Sequence, residues 1–183
     1  LRRALSGLVI MALALALYLA ALQVTGNFHT VIAGELYRSA QPDPAALAHW
    51  QGRYGIRSIV NLRGANPGTD WYDAEIATSE ALGIAHYDFR MSAGEDLDGE
   101  RAAQLAALLR DAPKPVLIHC RSGADRTGLA SALYLAAVAG SGEEAAEGQI
   151  SLYYGHVSLP ISAAWPMDRS WEALEAWLGF PNS

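Results

Sequence analysis

The sequence has a single cysteine, Cys120, a single lysine, Lys114, and no charged residue anywhere between Ala4 and Val24. Each scarcity excludes something. A lone cysteine forms no intramolecular disulfide, so cross-links contribute nothing to this fold, and an oxidised thiol would find no resolving partner in the chain. With one lysine against twelve arginines, the cationic positions are almost all guanidinium, the group that can grip an oxyanion with two parallel N–H bonds. Arg2 and Arg3 are the only charges in residues 1–27, so of thirteen basic and nineteen acidic residues, eleven and nineteen fall in the remainder, a net of −8 with neutral histidines. Such a surface repels a polyanion, which argues against nucleic acid as partner.

The uncharged run is long enough to matter. Its 21 residues match the roughly 20 that an α-helix needs to cross a bilayer's hydrocarbon core. Arginines precede it and the next basic residue is Arg38, a bias that keeps the amino terminus in the cytoplasm and puts residues 28–183 on the periplasmic or other extracytoplasmic side. A cleaved signal peptide also starts with basic residues, but its apolar stretch is shorter, about 7–15 residues, and closes in an A-x-A-like site that is missing here. The reading is a single-pass membrane anchor over 1–27 followed by one catalytic-sized domain over 28–183.

Within that domain strands and helices alternate. "GELYRS" reads as a strand, and "DPAALAHWQGRYG" as a helix with Asp43 as cap, Pro44 in the first turn and Gly55 as stop. "IRSIVNL", "IAHYDF" and "PVLIHC" read as strands, with helices over "DWYDAEIATSEALG", "GERAAQLAALLRDAP", about 126–140, 143–154 and 168–178. The connections are too long for hairpins, so the expected fold is α/β, with a mainly parallel central sheet flanked by helices on both faces. Ligand sites of such sheets lie beyond the carboxyl ends of the strands. Cys120 closes the strand "VLIH" and is therefore at that edge.

The stretch "HCRSGADRTG" carries the chemistry. The backbone of Ser122, Gly123 and Ala124 forms a turn that leads straight into a helix, and the inward N–H groups together with the helix N-terminus make a cradle for a tetrahedral oxyanion. The same field favours a thiolate at Cys120. Arg126 suits a bidentate grip on two phosphoryl oxygens, Thr127 suits donation of its hydroxyl to the sulfur, and His119 suits holding the loop from behind. The bland alternative is a buried strand-end cysteine followed by a capping loop.

This stretch resembles the H-C-x-x-G-x-x-R-[ST]-G signature of the cysteine-dependent protein tyrosine and dual-specificity phosphatases, and "GELYRSAQP", "IVNLRG" and "VLIHC" extend the resemblance to bacterial dual-specificity-like members over residues 34–178. The resemblance implies hydrolysis of phosphomonoesters through a phosphocysteine on Cys120, with no metal and no cofactor. It also implies an aspartate acid on a loop upstream of the cysteine. Asp88, 32 positions before Cys120, stands where a strand gives way to such a loop, and Glu95, Asp96 and Asp98 follow, each equally readable as a solvated charge or, for Asp98, a helix cap. Asp125 is the second candidate, because Asp125-Arg126-Thr127 resembles the myotubularin lipid phosphatases. Its structural alternative is a carboxylate that pins the loop. Both Asp88 and Asp125 stay open as the acid.

Arg121 is expected at the rim of the pocket, joined there by Arg38 and Arg63 unless these two are solvated surface charges or structural ion pairs; such a rim suits a substrate more anionic than one phosphotyrosine. Phosphorylated proteins are the first substrate expectation, implied by the resemblance, and the arginines together with the apolar segment make phospholipid or sugar phosphates the second. A phospho-binding module without turnover and a sulfur-transfer domain fit Cys120, Arg126 and Thr127 less well. Trp165, Trp171 and Trp177 are expected in the core, with the membrane surface as the alternative.

Overall fold

The computed structural model describes residues 2–181. Helix α1 (Arg2–Val24) is followed by β1 (His29–Ile32), β2 (Leu36–Ser39), α2 (Pro44–Tyr54), β3 (Ser58–Asn61), α3 (Asp70–Leu82), β4 (Ala85–Asp88), α4 (Gly99–Asp111), β5 (Val116–His119), α5 (Asp125–Leu133), α6 (Glu143–Glu147) and α7 (Pro166–Leu178). The five strands lie in the order β1-β2-β5-β3-β4. Four run parallel, and β1 pairs antiparallel with β2 at the edge.

The three inner strands, β2, β3 and β5, are buried on both faces, and their side chains alternate between two cores. Leu36, Val60, Val116 and Ile118 join Leu105 and Leu109 of α4, Leu129 and Leu133 of α5, and Met167 and Trp171 of α7. Tyr37, Ile59 and Leu117 turn the other way, onto Leu47 and Trp50 of α2. Each such fully buried side chain contributes about 1.5–3 kcal/mol. Helix starts follow the caps in the sequence: Asp43 accepts the Ala46 N–H at 2.7 Å, and Asp98 accepts the Arg101 N–H at 2.8 Å.

The sheet is mainly parallel as expected, with one addition: "HTVI" forms β1, an antiparallel edge strand that the sequence reading did not include. Two expectations are corrected. The helix expected over 143–154 stops at Glu147, beyond which Gly148 ends it, leaving only a single 3₁₀ turn at Leu152–Tyr154. The helix expected to reach residue 140 ends at Leu133 and relaxes into a π turn over Tyr134–Val138. Of the tryptophans, Trp171 is core, Trp165 is half-buried and Trp177 is exposed.

Residues Leu5–Val24 of α1 have a mean hydropathy of 2.4 and are long and apolar enough to span a bilayer. From Leu5 to Leu17 its large apolar side chains are exposed, while its last turns dock on the domain. Tyr18 Oη donates to the Tyr153 carbonyl at 2.6 Å, and Leu22 is buried beside Gly155.

Candidate active site

β5 delivers Cys120 to the carboxyl edge of the sheet, where the residue is 1% exposed. Its Sγ accepts the Gly123 N–H at 3.3 Å. Gly123 has φ +72°, and a Cβ there would lie 2.5 Å from the Ala40 nitrogen and 2.6 Å from the Ser39 carbonyl carbon, so only glycine lets the loop sit this close to β2. α5 starts at once, with Asp125 and Arg126 in its first turn and its free N–H groups at the loop. Arg126 donates from Nη1 to the Met91 carbonyl at 3.3 Å, while its Nε is buried without a partner. Thr127, expected to bond the sulfur, is fully buried with its hydroxyl unpaired. These two side chains keep free donors beside the loop.

Arg38 corrects the sequence expectation most plainly. It is not at the rim but fully buried behind the loop, because its neighbours offer carbonyls rather than solvent. Nη2 donates to the Gly123 and Ala124 carbonyls at 2.9 and 3.2 Å, Nη1 donates to the Gln149 carbonyl at 2.9 Å and to its Oε1 at 3.0 Å, and the guanidinium stacks 3.7 Å from the Tyr154 ring. Burial brings its pKa down to about 10, so it remains a cation at neutral pH. Arg63 lies over Trp71 at 3.5 Å and donates to Gln41 Oε1 at 2.9 Å. Its pKa is lowered by burial and then by the charges of Arg126 and Arg121, and the field of Cys120 is also felt. Arg63 thus lies within the fields of Arg126, Arg121 and Cys120.

Two buried ion clusters flank the loop. On the strand side, the carboxylate of Glu75 from α3 lies 3.2 Å from Nε2 of His119 and 2.8 Å from Nε2 of His86. Burial alone would raise the Glu75 pKa, but the two histidines hold it at about 2. On the helix side, His156 has no exposed surface and stands between Asp125, 2.8 Å from Nδ1, and Asp168, 2.9 Å from Nε2. Burial opposes its charge, yet the bonds to the two carboxylates raise its pKa above the ordinary value. His119, expected behind the loop, is held there by Glu75 and is itself 3.4 Å from the Cys120 carbonyl through Nδ1.

The candidate acids fall in different surroundings. Asp88 ends β4, in register with Asn61, which is in register with His119, so it stands two strands, roughly 10 Å, across the sheet from the strand that carries Cys120. Its oxygens accept from Asn61 Nδ2 at 2.8 Å and from Tyr72 Oη at 2.6 Å, which lifts the Tyr72 pKa to about 12. Asp125 is part of the loop itself, and its side chain is 25% exposed. Asp98 caps α4, and Asp96 pairs with Arg169 at 2.8 Å. Glu95 and Asp96 line a cleft of about 530 Å³ with Arg90, Met91 and Arg101, which meets the loop through the Met91–Arg126 bond. Among the described residues no cluster of His, Cys, Asp or Glu is arranged to hold a metal ion.

Four contributors escaped sequence reasoning: Asn27, Glu75, Gln149 and His156. Asn27 is 1% exposed at φ +45° and donates from Nδ2 to the Ser122 and Tyr154 carbonyls at 2.9 and 2.8 Å, while Gln23 reaches the Ser122 carbonyl at 3.3 Å. The end of α1 and the residues just after it are therefore hydrogen-bonded to the loop after Cys120. The only local signals were an acidic residue on the sheet-facing side of α3 and the "YGH" after a helix stop, and neither names its partner.

No curated protein matches the chain. Solved structures with the same fold include TpbA from P. aeruginosa (TM-score 0.61, 23% identity, 85% of this chain and 92% of that one). They also include the core catalytic domain of the PP-IP phosphatase SIW14 from S. cerevisiae (0.60, 19%, 85% and 94%) and PTPMT1 (0.61, 15%, 83% and 98%). The tyrosine phosphatase family model matches residues 19–147, from the end of α1 through the catalytic loop and α5 to the end of α6, and the chain belongs to that family.

Proposed function

We propose that the protein hydrolyses phosphomonoesters through a phosphocysteine at Cys120, with the tyrosine and dual-specificity type of reactivity, in a domain over 28–183 held at a membrane by residues 1–27. One observation carries this reading: a buried strand-end thiol accepting a loop N–H at the start of a helix, with Arg126 in that helix's first turn. Sγ attacks phosphorus in line with the leaving oxygen. The loop N–H groups of Ser122, Gly123 and Ala124 and the guanidinium of Arg126 take the charge that spreads over the three equatorial oxygens. The unpaired Arg126 Nε and Thr127 hydroxyl are further donors for that oxyanion. Water then attacks the phosphocysteine and phosphate leaves.

Asp125 is the better fit for the acid. Asp88 has its carboxylate tied to Asn61 and Tyr72 two strands away, whereas Asp125 sits in the loop with part of its carboxyl open. Asp125→Asn is expected to slow alkyl phosphates by about 10²–10⁴ and aryl phosphates with good leaving groups far less, with Asp88→Asn affecting both alike. The reverse pattern would make Asp88 the acid.

A second substrate reading, lipid phosphomonoesters, is favoured by the bonds from Gln23 and Asn27 to Ser122, which tie the mouth of the site to the end of the apolar helix. Arg63 and Arg121 suit its extra negative charge. TpbA has been crystallised with phosphotyrosine and PTPMT1 with PI(5)P, so both substrate shapes occur on this fold. Phosphate release from phosphotyrosine and phosphoserine peptides and from vesicles carrying phosphatidylglycerophosphate or phosphoinositides decides between them. Cys120→Ser must abolish every such activity, and a variant as fast as the parent would overturn the catalytic reading.

A further inference from the structure

Asp125 is joined to His156 and Asp168 in a row that ends on the Cys120 loop, and the last two have no role in the reaction as described so far. Asp125 opens α5, Asp168 lies in the first turn of α7, and His156 follows the 3₁₀ turn whose Tyr154 stacks on Arg38. Three separate elements thus converge on one imidazole with no exposed surface. A neutral imidazole has one N–H and one lone pair, so between two carboxylate oxygens at 2.8 and 2.9 Å it satisfies only one of them. An imidazolium satisfies both. The other charges at hand are Arg38, whose field reaches Asp125, and Glu147 of α6, whose field is coupled to Asp168.

Resting on the assignment of Asp125 as acid, we propose that His156, held by Asp168, is the positioning residue for that acid. The imidazolium grips Oδ1 of Asp125 and leaves the other oxygen to carry the transferable proton. As the phosphorus–oxygen bond of the substrate breaks, the carboxyl O–H bond breaks and the leaving oxygen gains that proton. His156 keeps both of its own protons and stabilises the new carboxylate, while Asp168 balances its charge. In the second step Asp125 takes a proton from the attacking water and returns to its starting form. The arrangement parallels the way a buried carboxylate orients the imidazole of a catalytic triad, with the acid and the orienting residue exchanged.

The test is steady-state kinetics of the full chain and of His156→Asn, Asp168→Asn, Asp125→Asn and the Asp125→Asn/His156→Asn double variant, on one aryl phosphate with a good leaving group and one alkyl phosphate. His156→Asn and Asp168→Asn are expected to lower kcat on the alkyl phosphate about tenfold to a hundredfold and on the aryl phosphate less than about threefold, with KM little changed. The double variant should be no slower than Asp125→Asn on the alkyl phosphate. On this substrate the parent's kcat should fall as pH rises through the raised His156 pKa, and that fall should vanish in His156→Asn. Equal losses on both substrates, or multiplying losses in the double variant, overturn the proposal. If His156→Asn does not fold, Asp168→Asn decides alone, since it leaves the His156–Asp125 bond in place. Loss of both activities alike in Asp125→Asn would instead remove the acid assignment, so the two failures are distinguishable.

Discussion

Glu75 and His156 are mirror images of each other on the two sides of the catalytic loop. On the strand side one carboxylate is shared by two imidazoles, His86 and His119; on the helix side one imidazole is shared by two carboxylates, Asp125 and Asp168. The central group is buried in both, but the partners differ. His86 and His119 are 10% and 0% exposed, against 25% and 12% for Asp125 and Asp168. The strand-side cluster is thus the more deeply buried of the two, and the helix-side cluster reaches solvent chiefly through Asp125. One loop is held by opposite charges from opposite sides, so it weakens with acid through one cluster and with base through the other.

The contrast is most vulnerable at its more deeply buried end. Glu75→Ala removes the only carboxylate that His86 and His119 share, and unfolding by urea at pH 7 should show a loss of about 3–5 kcal/mol, the range for breaking a buried pair. The corresponding change at His156 should cost clearly less, because water can reach Asp125. An equal cost would mean that burial of the partners does not set the difference.

Acid isolates the strand side. Glu75 titrates near pH 2 in the fold against an ordinary value of 4.5, so its contribution is complete above pH 4.5 and disappears as pH falls toward 2. The span corresponds to about 3 kcal/mol. Chemical denaturation of the parent and of Glu75→Gln at pH 5 and pH 3 should show the variant losing much less stability over that interval.

Between the clusters lies Arg38, which holds the loop carbonyls that neither cluster reaches. Lysine keeps the charge but cannot reproduce four bonds and a stacked plane, so Arg38→Lys should lower kcat/KM about tenfold to a hundredfold on every phosphomonoester, whatever the leaving group. A leaving-group dependence there would place Arg38 in the proton transfer instead.

The smallest effect is expected on the alkaline side. His156 has a folded pKa above its ordinary 6.5, so its contribution is complete below pH 6.5 and is lost as pH climbs through the raised value. Thermal unfolding of the parent should decline over that range, and His156→Gln should flatten the decline. A parent with no decline would mean that the imidazole is not the charged member of the cluster.

Much of the reaction centre was legible along the chain because it is local. Cys120, Gly123 and Arg126 belong to one strand-turn-helix unit, and turn chemistry and helix-terminus electrostatics act over a few residues. The parallel sheet was legible too, since uninterrupted short apolar runs between helical patterns imply strands buried on both faces. The surroundings of the loop were not. Arg38 reads from sequence as a rim cation like Arg63, and the contact that decides otherwise, with carbonyls 85 and 86 residues away, has no local trace. The same holds for Glu75, which is one acidic residue among several on α3, and for Asn27, which closes on Ser122 across 95 residues.

The strand-turn-helix unit around Cys120, the apolar amino-terminal helix and the class of fold are written in the order of the residues, because helix period, strand composition and glycine-dependent turns are set by near neighbours. It took the folded chain to show that Arg38 braces the loop from behind, that Asp88 and Asp125 have different partners, and that two buried ion clusters of opposite composition flank the loop. Those are choices between side chains of the same kind. They depend on burial and on partners brought together from distant segments, since a buried charge persists only where the fold supplies its complement.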